Sequence, residues 1–276
     1  MTSYNGQELH FEERNSLGTD TILFLHGGGS CGLEWDLVAN DVSLASYHLI
    51  LVDLPHHSGS RHLAPFSLPA AADAVVDTIA KHAQDGKAHI VGLSLGGFVA
   101  LDLTARHPEV VLSCFVTGAV PWQGLYRWFG ERPNLVWWVG RLQSAVPGLD
   151  RWAERAQGLM ISPALRAKLE ENKCKILCLE VFHAITNQFG WDTVERVADS
   201  GVRTCAVAGS KMDQVAAVKK MGLMLRNGGK KKGITNMAVE VKEAVHWWNI
   251  QLPALFASGI NAWVREEQLP REFKSL

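Results

Sequence analysis

Short apolar runs of strand-forming residues recur along this chain, each closed by glycine, proline or serine, and stretches at helical spacing separate them. Thr21 to Leu25 (TILFL), His48 to Leu54 (HLILVDL) and Ala88 to Val91 (AHIV) come first. Val110 to Val116 follows, and Val202 to Ala208 (VRTCAVA) and Met237 to Val241 (MAVEV) come late. A strand that is apolar at nearly every position is covered on both faces, which is the condition inside a parallel sheet. Between the runs, Pro69 to Ala83 places apolar residues at 72, 75, 76, 79, 80 and 83, one stripe of an amphipathic helix. Phe98 to Ala105 is a second apolar helix, stopped by Pro108. Trp247 to Val264 reads as a closing helix. The alternation predicts an α/β fold with a mostly parallel central sheet, right-handed crossovers and flanking helices.

One stretch breaks the pattern. Residues 121–200 show no strand signal and hold six of the ten tryptophans: Trp122, Trp128, Trp137, Trp138, Trp152 and Trp191. Leu, Arg and Glu fall there at helical spacing, so the segment is expected to be a helical cap inserted between two strands. Residues 1–120 and 201–276 then form the core domain. At 276 residues the chain can bury roughly three quarters of its unfolded surface, and it needs no disulfide or metal staple. Asn227 to Gly233 (NGGKKKG) reads as a solvated loop, because no aromatic residues interleave its lysines.

Composition narrows the function classes. Twenty-seven Lys and Arg against 28 Asp and Glu leave a net charge of −1, which excludes coating nucleic acid or anionic membrane by bulk charge. The polar N-terminus MTSYNGQELHFEERN lacks the apolar core of a signal peptide. No stretch approaches the ~18 apolar residues of a membrane span. Five scattered cysteines read as reduced thiols, and the expected compartment is the cytoplasm.

The chemistry is concentrated in two glycine-rich turns. Gly92-Leu93-Ser94-Leu95-Gly96 follows the AHIV run and precedes an apolar helix. A serine on so sharp a strand-to-helix turn needs small neighbours two residues either way, and the turn lifts its hydroxyl above the sheet. His26-Gly27-Gly28-Gly29 follows the TILFL run. Such a loop can aim a backbone N–H, from Gly28 or Gly29, at the neighbouring strand end, with the Leu95 N–H as a second donor to an oxyanion. Acidic residues after Ser94 include Asp102, Glu109, Glu131, Asp150, Asp192, Asp199 and Asp213.

With HGGG at 26–29, Asp53-Leu54-Pro55 and GLSLG at 92–96, the chain resembles the α/β-hydrolase superfamily over nearly its whole length outside the cap. The resemblance implies a nucleophile, an acid and a histidine in that order along the chain. Asp213 matches the family's acid position, a few residues beyond the VRTCAVA run, and is also placed to cap the following helix. His246 heads His246-Trp247-Trp248-Asn249-Ile250-Gln251-Leu252-Pro253, similar to the family's H-x-W-N-x-Q-x-P segment, and is the only histidine after Asp213. His26 is expected to shape its loop.

The family commonly writes D-x-P-G-H-G-x-S where this chain has Asp53-Leu54-Pro55-His56-His57-Ser58-Gly59-Ser60. Both glycines are replaced, which predicts a different course for that loop. His56, His57 and His62 have no carboxylate or cysteine at ligand spacing, so a polar loop is expected rather than a metal site. Cys174 and Cys178 read as two half-buried thiols. The implied activity is a cofactor-free serine hydrolase acting on an ester or lactone of a hydrophobic small molecule. Gly29, Trp122, Trp128 and Trp247 are the candidates to touch substrate. The alternatives are carbon–carbon bond cleavage or acyl transfer on the same fold, or a non-catalytic small-molecule receptor. No nucleic-acid partner is implied, and the sequence leaves the oligomeric state open.

Overall fold

The protein is described by a computed structural model, which covers residues 3–146 and 148–276. The first half contains β1 (Phe11–Arg14), β2 (Thr21–Leu25), α1 (Asp36–Ala39), β3 (His48–Val52), α2 (Leu68–His82), β4 (Ala88–Leu93), α3 (Leu95–Arg106) and β5 (Val111–Thr117). Six helices follow without a strand: α4 (Gly124–Gly130), α5 (Pro133–Ser144), α6 (Leu149–Ala156), α7 (Pro163–Glu171), α8 (Lys175–Gln188) and α9 (Trp191–Asp199). The chain then closes through β6 (Thr204–Gly209), α10 (Val215–Lys232), β7 (Met237–Val241), α11 (Trp248–Gln251), α12 (Pro253–Val264) and β8 (Phe273–Ser275).

The strands form one sheet in the order β1-β3-β2-β4-β5-β6-β7-β8, parallel except for the two edges, where β1 and β8 run antiparallel to β3 and β7. Period-two alternation divides each inner strand between two cores. Leu23, Leu25, Ile50, Val52 and Val116 face the layer of α2, α3, α9 and α10, whereas Ile22, Phe24, Leu49, Leu51 and Phe115 face α1 and α12. Both layers are apolar, so both residue parities must be apolar, and the inner strands are visible as unbroken runs. The edge strands FEER and FKS need cover on one face only, and no such run marks them.

Helix boundaries differ from expectation at three places. Pro253 splits the closing helix, since Leu252 is non-helical and α12 restarts at the proline. In α2 the buried residues are Leu68, Ala71, Ala72, Ala74, Val75, Thr78 and Ile79, while Ala80 is exposed on the far side. Lys230 to Lys232 form the last turn of α10 rather than a loop, closed by Gly233 in the left-handed region at φ 71°. Gly228 is buried where α10 crosses α9, and a Cβ there would overlap the Ala198 carbonyl.

α9 packs in the core layer against α3 and α10. α8 bridges inward to α2 and α3 and outward to α4 and α5, over the carboxyl ends of the parallel strands. The residues that follow β2, β4, β5, β6 and β7 are therefore brought together under that helix, the usual place for a ligand in an open α/β sheet.

Candidate active site

Ser94 sits between β4 and α3 at φ 52° and ψ −115°, a conformation L-residues rarely adopt. The surroundings hold it there. Its N–H donates to Thr117 O of β5 (2.9 Å), and the Gly96 N–H donates to His26 O (2.9 Å). A Cβ on Gly92 would lie 2.5 Å from Gly96 O, and one on Gly96 would overlap the Leu25 carbonyl, so both glycines are required by close backbone approach. The Ser94 hydroxyl caps no helix N–H.

Asp213 and His246 meet from adjacent strand ends. His246 Nδ1–H donates to Asp213 Oδ1 at 2.5 Å, and Asp213 Oδ2 accepts from Gly209 N–H at 2.7 Å. Asp213 does not also cap α10: the cap residue is Gln214, with no side-chain capping bond. The imidazole packs on Gly118 (φ 66°), where a Cβ would lie 2.5 Å from His246 Cε1. The segment after the histidine is anchored residue by residue. Trp248 Nε1–H donates to Thr117 Oγ1 (2.9 Å), Asn249 Nδ2 to Glu34 Oε1 (3.2 Å), and Gln251 Oε1 accepts from Val245 N–H (2.9 Å). Burial disfavours the imidazolium, but the hydrogen bond and charge of Asp213, with the charge of Glu34, hold the His246 pKa above its ordinary value.

The glycine loop after β2 has one uncommitted N–H. Gly27 N–H donates to Glu34 Oε2 (3.2 Å) and Gly29 N–H to His57 Nε2 (3.0 Å). Gly28 N–H, like Leu95 N–H at the start of α3, has no partner among the described residues. The Gly28 and Leu95 side-chain positions are neighbours, 3.8 Å apart for a Cβ built on the glycine. Two histidines support the loop, each with its tautomer fixed by backbone. His26 Nδ1–H donates to Gly27 O (2.7 Å) while Nε2 accepts from Leu54 N–H (2.9 Å). His57 Nδ1–H donates to Pro55 O (2.9 Å). Burial lowers His26 to about 4 and His57 to about 3, so both are neutral scaffold groups.

In the loop after β3, where the two glycines are replaced, His56 and Ser58 themselves adopt φ 66° and 39°. Asp53, at the start of the loop, accepts from Gly59 N–H at its far end (3.0 Å) and from Gly32 N–H of the neighbouring loop after β2 (2.7 Å). His56 pairs with Glu180 of α8 (2.7 Å).

Ser94, Leu95, Gly28, Gly29, Trp122, His246 and Trp247 all line one cavity of about 470 Å³. Ser94, Asp213 and His246 also line a smaller adjoining cavity of about 240 Å³. No hydrogen bond links Ser94 Oγ to the imidazole among the described residues; in unliganded sites such contacts are commonly long and tighten with substrate. Trp128 does not line either cavity. On α4 it lies about 200° round from Tyr126, whose face borders the smaller cavity with Phe129. Its ring is 42% exposed, under the Arg132 guanidinium at 4.3 Å. The main cavity adds residues the sequence did not single out, notably Val136 and Trp137 of α5 and Leu177, Val181 and Phe182 of α8. Cys174 and Cys178 line it too, the first exposed and the second half-buried. Glu34 is the other omission: a buried carboxyl, its pKa raised by burial, that ties the glycine loop to Asn249. Nothing local in Gly-Leu-Glu-Trp distinguishes it from a surface acid.

A family model described as "Alpha/beta hydrolase family" matches residues 22–258. An AB hydrolase superfamily protein of Gibberella zeae is 27% identical over 275 residues, covering 96% of this chain and 86% of the relative. A pimeloyl-[acyl-carrier protein] methyl ester esterase of Neisseria meningitidis is 37% identical over 110 residues, but that match spans only 39% of this chain and 33% of the esterase. Among solved structures, an esterase from Exiguobacterium antarcticum superimposes with a TM-score of 0.75 at 15% identity, covering 96% of this chain and 98% of the esterase.

Proposed function

The chain belongs to the alpha/beta hydrolase family, and from that premise we propose that it is a serine hydrolase cleaving an ester or lactone of a hydrophobic small molecule through an acyl-enzyme on Ser94. The observation that carries the reading is the strained Ser94 opening on the same cavity as an imidazole already bound through Nδ1 to a carboxylate. That bond leaves Nε2 as the acceptor facing the cavity, the tautomer a general base requires.

In this mechanism His246 Nε2 takes the Ser94 hydroxyl proton as Oγ attacks the acyl carbon. Asp213 stabilises the imidazolium, and the Gly28 and Leu95 N–H groups hold the tetrahedral oxyanion. These two donors are the uncommitted pair, whereas the Gly29 N–H is spent on His57. Imidazolium then protonates the leaving alcohol, the carbon–oxygen bond breaks, and the acyl-enzyme remains. Water, deprotonated by His246, attacks the acyl carbon; the second tetrahedral adduct collapses to the acid and restores the Ser94 hydroxyl. The chain's own residues and water complete the cycle.

Helices α4–α8 act as the cap in this proposal, and their apolar lining of Trp122, Val136, Trp137, Leu177, Val181 and Phe182 selects a hydrophobic acyl or alcohol group. The esterase named among the relatives supports ester cleavage as the reaction class. Turnover of aryl esters and lactones of graded size tests the proposal. Wild-type protein should hydrolyse members of the panel, and Ser94→Ala should lose on the order of 10⁶ in turnover. Hydrolysis by Ser94→Ala at the wild-type rate would contradict it.

A further inference from the structure

Helix α5 is apolar on two sides. Val136, Trp137 and Gly140 face the cavity, while Leu135, Trp138, Val139 and Leu142, at i, i+3, i+4 and i+7, form a stripe turned to solvent. Trp138 is 59% and Leu142 68% exposed. A helix apolar on both sides belongs between two apolar layers, and the chain supplies only the inner one. The exposed face continues onto the helices packed beside it, with Leu125 and Trp128 on α4 and Trp152 on α6. Of the eighteen large apolar side chains exposed among the described residues, nine lie between 125 and 160 apart from Tyr126 and Phe129, which border the smaller cavity. Concentration on this scale marks an interaction surface.

The charges on this surface choose its occupant. Every carboxylate there has a cation within reach: Glu131 with Arg127 (3.0 Å), Glu154 with Arg166 (2.6 Å) and Asp150 with Lys173 (4.0 Å). Arg151 and Arg155 on α6 make no ion pair among the described residues and both are exposed, whereas Arg141, also without an ion pair there, lies on the cavity side of α5. The overall charge of −1 conceals this local excess. A second copy docked face to face would set the same two arginines against their duplicates. Exposed Trp and Leu framed by free arginines is the chemistry that enters the headgroup region of an anionic bilayer: rings at the interface, guanidinium groups on phosphates.

We propose that the outer face of α4–α6 is a peripheral docking site for an anionic lipid surface, which would set α5, a wall of the cavity, against the bilayer. Binding there is independent of Ser94, so it stands or falls separately from the proposed reaction. No helix among the described residues is long and apolar enough to cross a membrane, so docking would be peripheral.

Flotation of the full chain with vesicles of phosphatidylcholine, with and without phosphatidylserine, tests this. Wild-type protein should float with the anionic vesicles, weaken as salt rises, and show a blue shift of tryptophan emission. Trp138→Ser with Leu142→Ser should reduce partition on the order of tenfold, and neutralising Arg151 and Arg155 to Gln about fivefold for each arginine. Far-UV circular dichroism checks the variants' fold, and the salt response of the unaltered protein is a readout that needs no variant. Absence of flotation, or equal flotation by all variants, overturns the proposal. So does concentration-dependent dimerisation abolished by the apolar pair without vesicle binding, which would assign the face to a second copy.

Discussion

At His246 burial and charge act in opposite directions, and charge prevails. In the proposed mechanism His246 is the general base and works only when neutral, so kcat/KM should rise with pH through a limb lying above about 6.5, the ordinary histidine value. Glu34 contributes to that raised value from the buried junction of the glycine loop and Asn249. Glu34→Gln keeps the shape and removes the charge. The expected outcome in a pH–rate profile is a limb displaced to lower pH; a role confined to packing would lower the rate and leave the limb in place. Gly118 is the other sensitive position, since its missing side chain is the space the imidazole occupies. Gly118→Ala should cut kcat by about 10²-fold, as displacement of a catalytic group by an ångström does, and KM for a small ester should change little. The positions of Ser94, Asp213 and His246 could be read from the sequence because the turn glycines and the segment after the histidine have local constraints. That the Gly29 N–H is taken while the Gly28 N–H is left without a partner among the described residues could not be read there, because the acceptor, His57, is 28 residues away.

Helices and loops show where local rules yield to packing. Glycine disfavours a helix interior by about 1 kcal/mol relative to alanine, yet α10 keeps Gly228 at its crossing with α9. A methyl group there meets the Ala198 carbonyl, which is backbone and cannot swing aside. Gly228→Ala should therefore lose stability by about 2 kcal/mol in urea melts, despite the better helix former, because overpacking outweighs propensity. This is why NGGKKKG reads as a loop and folds as a helix: the reason for its glycines lies on another element. The loop after β3 teaches the converse. Asp53 at its start bonds Gly59 at its far end and Gly32 of the neighbouring loop, while His56 and Ser58 take positive φ themselves, conformations that glycine would have adopted more freely. The inner strands were legible for a simpler reason, since cover on both faces imposes apolar residues at every position.

Across the whole molecule, one sheet orientation gathers residues from 28 to 247 at a single rim, and helices between β5 and β6 line the cavity over it. Their lining was the least legible part. Leu177, Val181 and Ile185 have the spacing of any core stripe, and which side of a helix faces a cavity is settled only by its neighbours. Trp137→Ala should raise KM for a bulky aryl ester about tenfold with kcat nearly unchanged, the signature of lost uniform binding, and should leave a small acetyl ester unaffected. The whole account depends on the hydroxyl of Ser94 being made reactive where these parts meet. Mass spectrometry after exposure to a fluorophosphonate probe measures that most directly. The account predicts one adduct, located on Ser94, absent from Ser94→Ala and strongly slowed in His246→Ala. An adduct of equal yield on Ser94→Ala, or an unlabelled Ser94 in the folded wild-type protein, would contradict it.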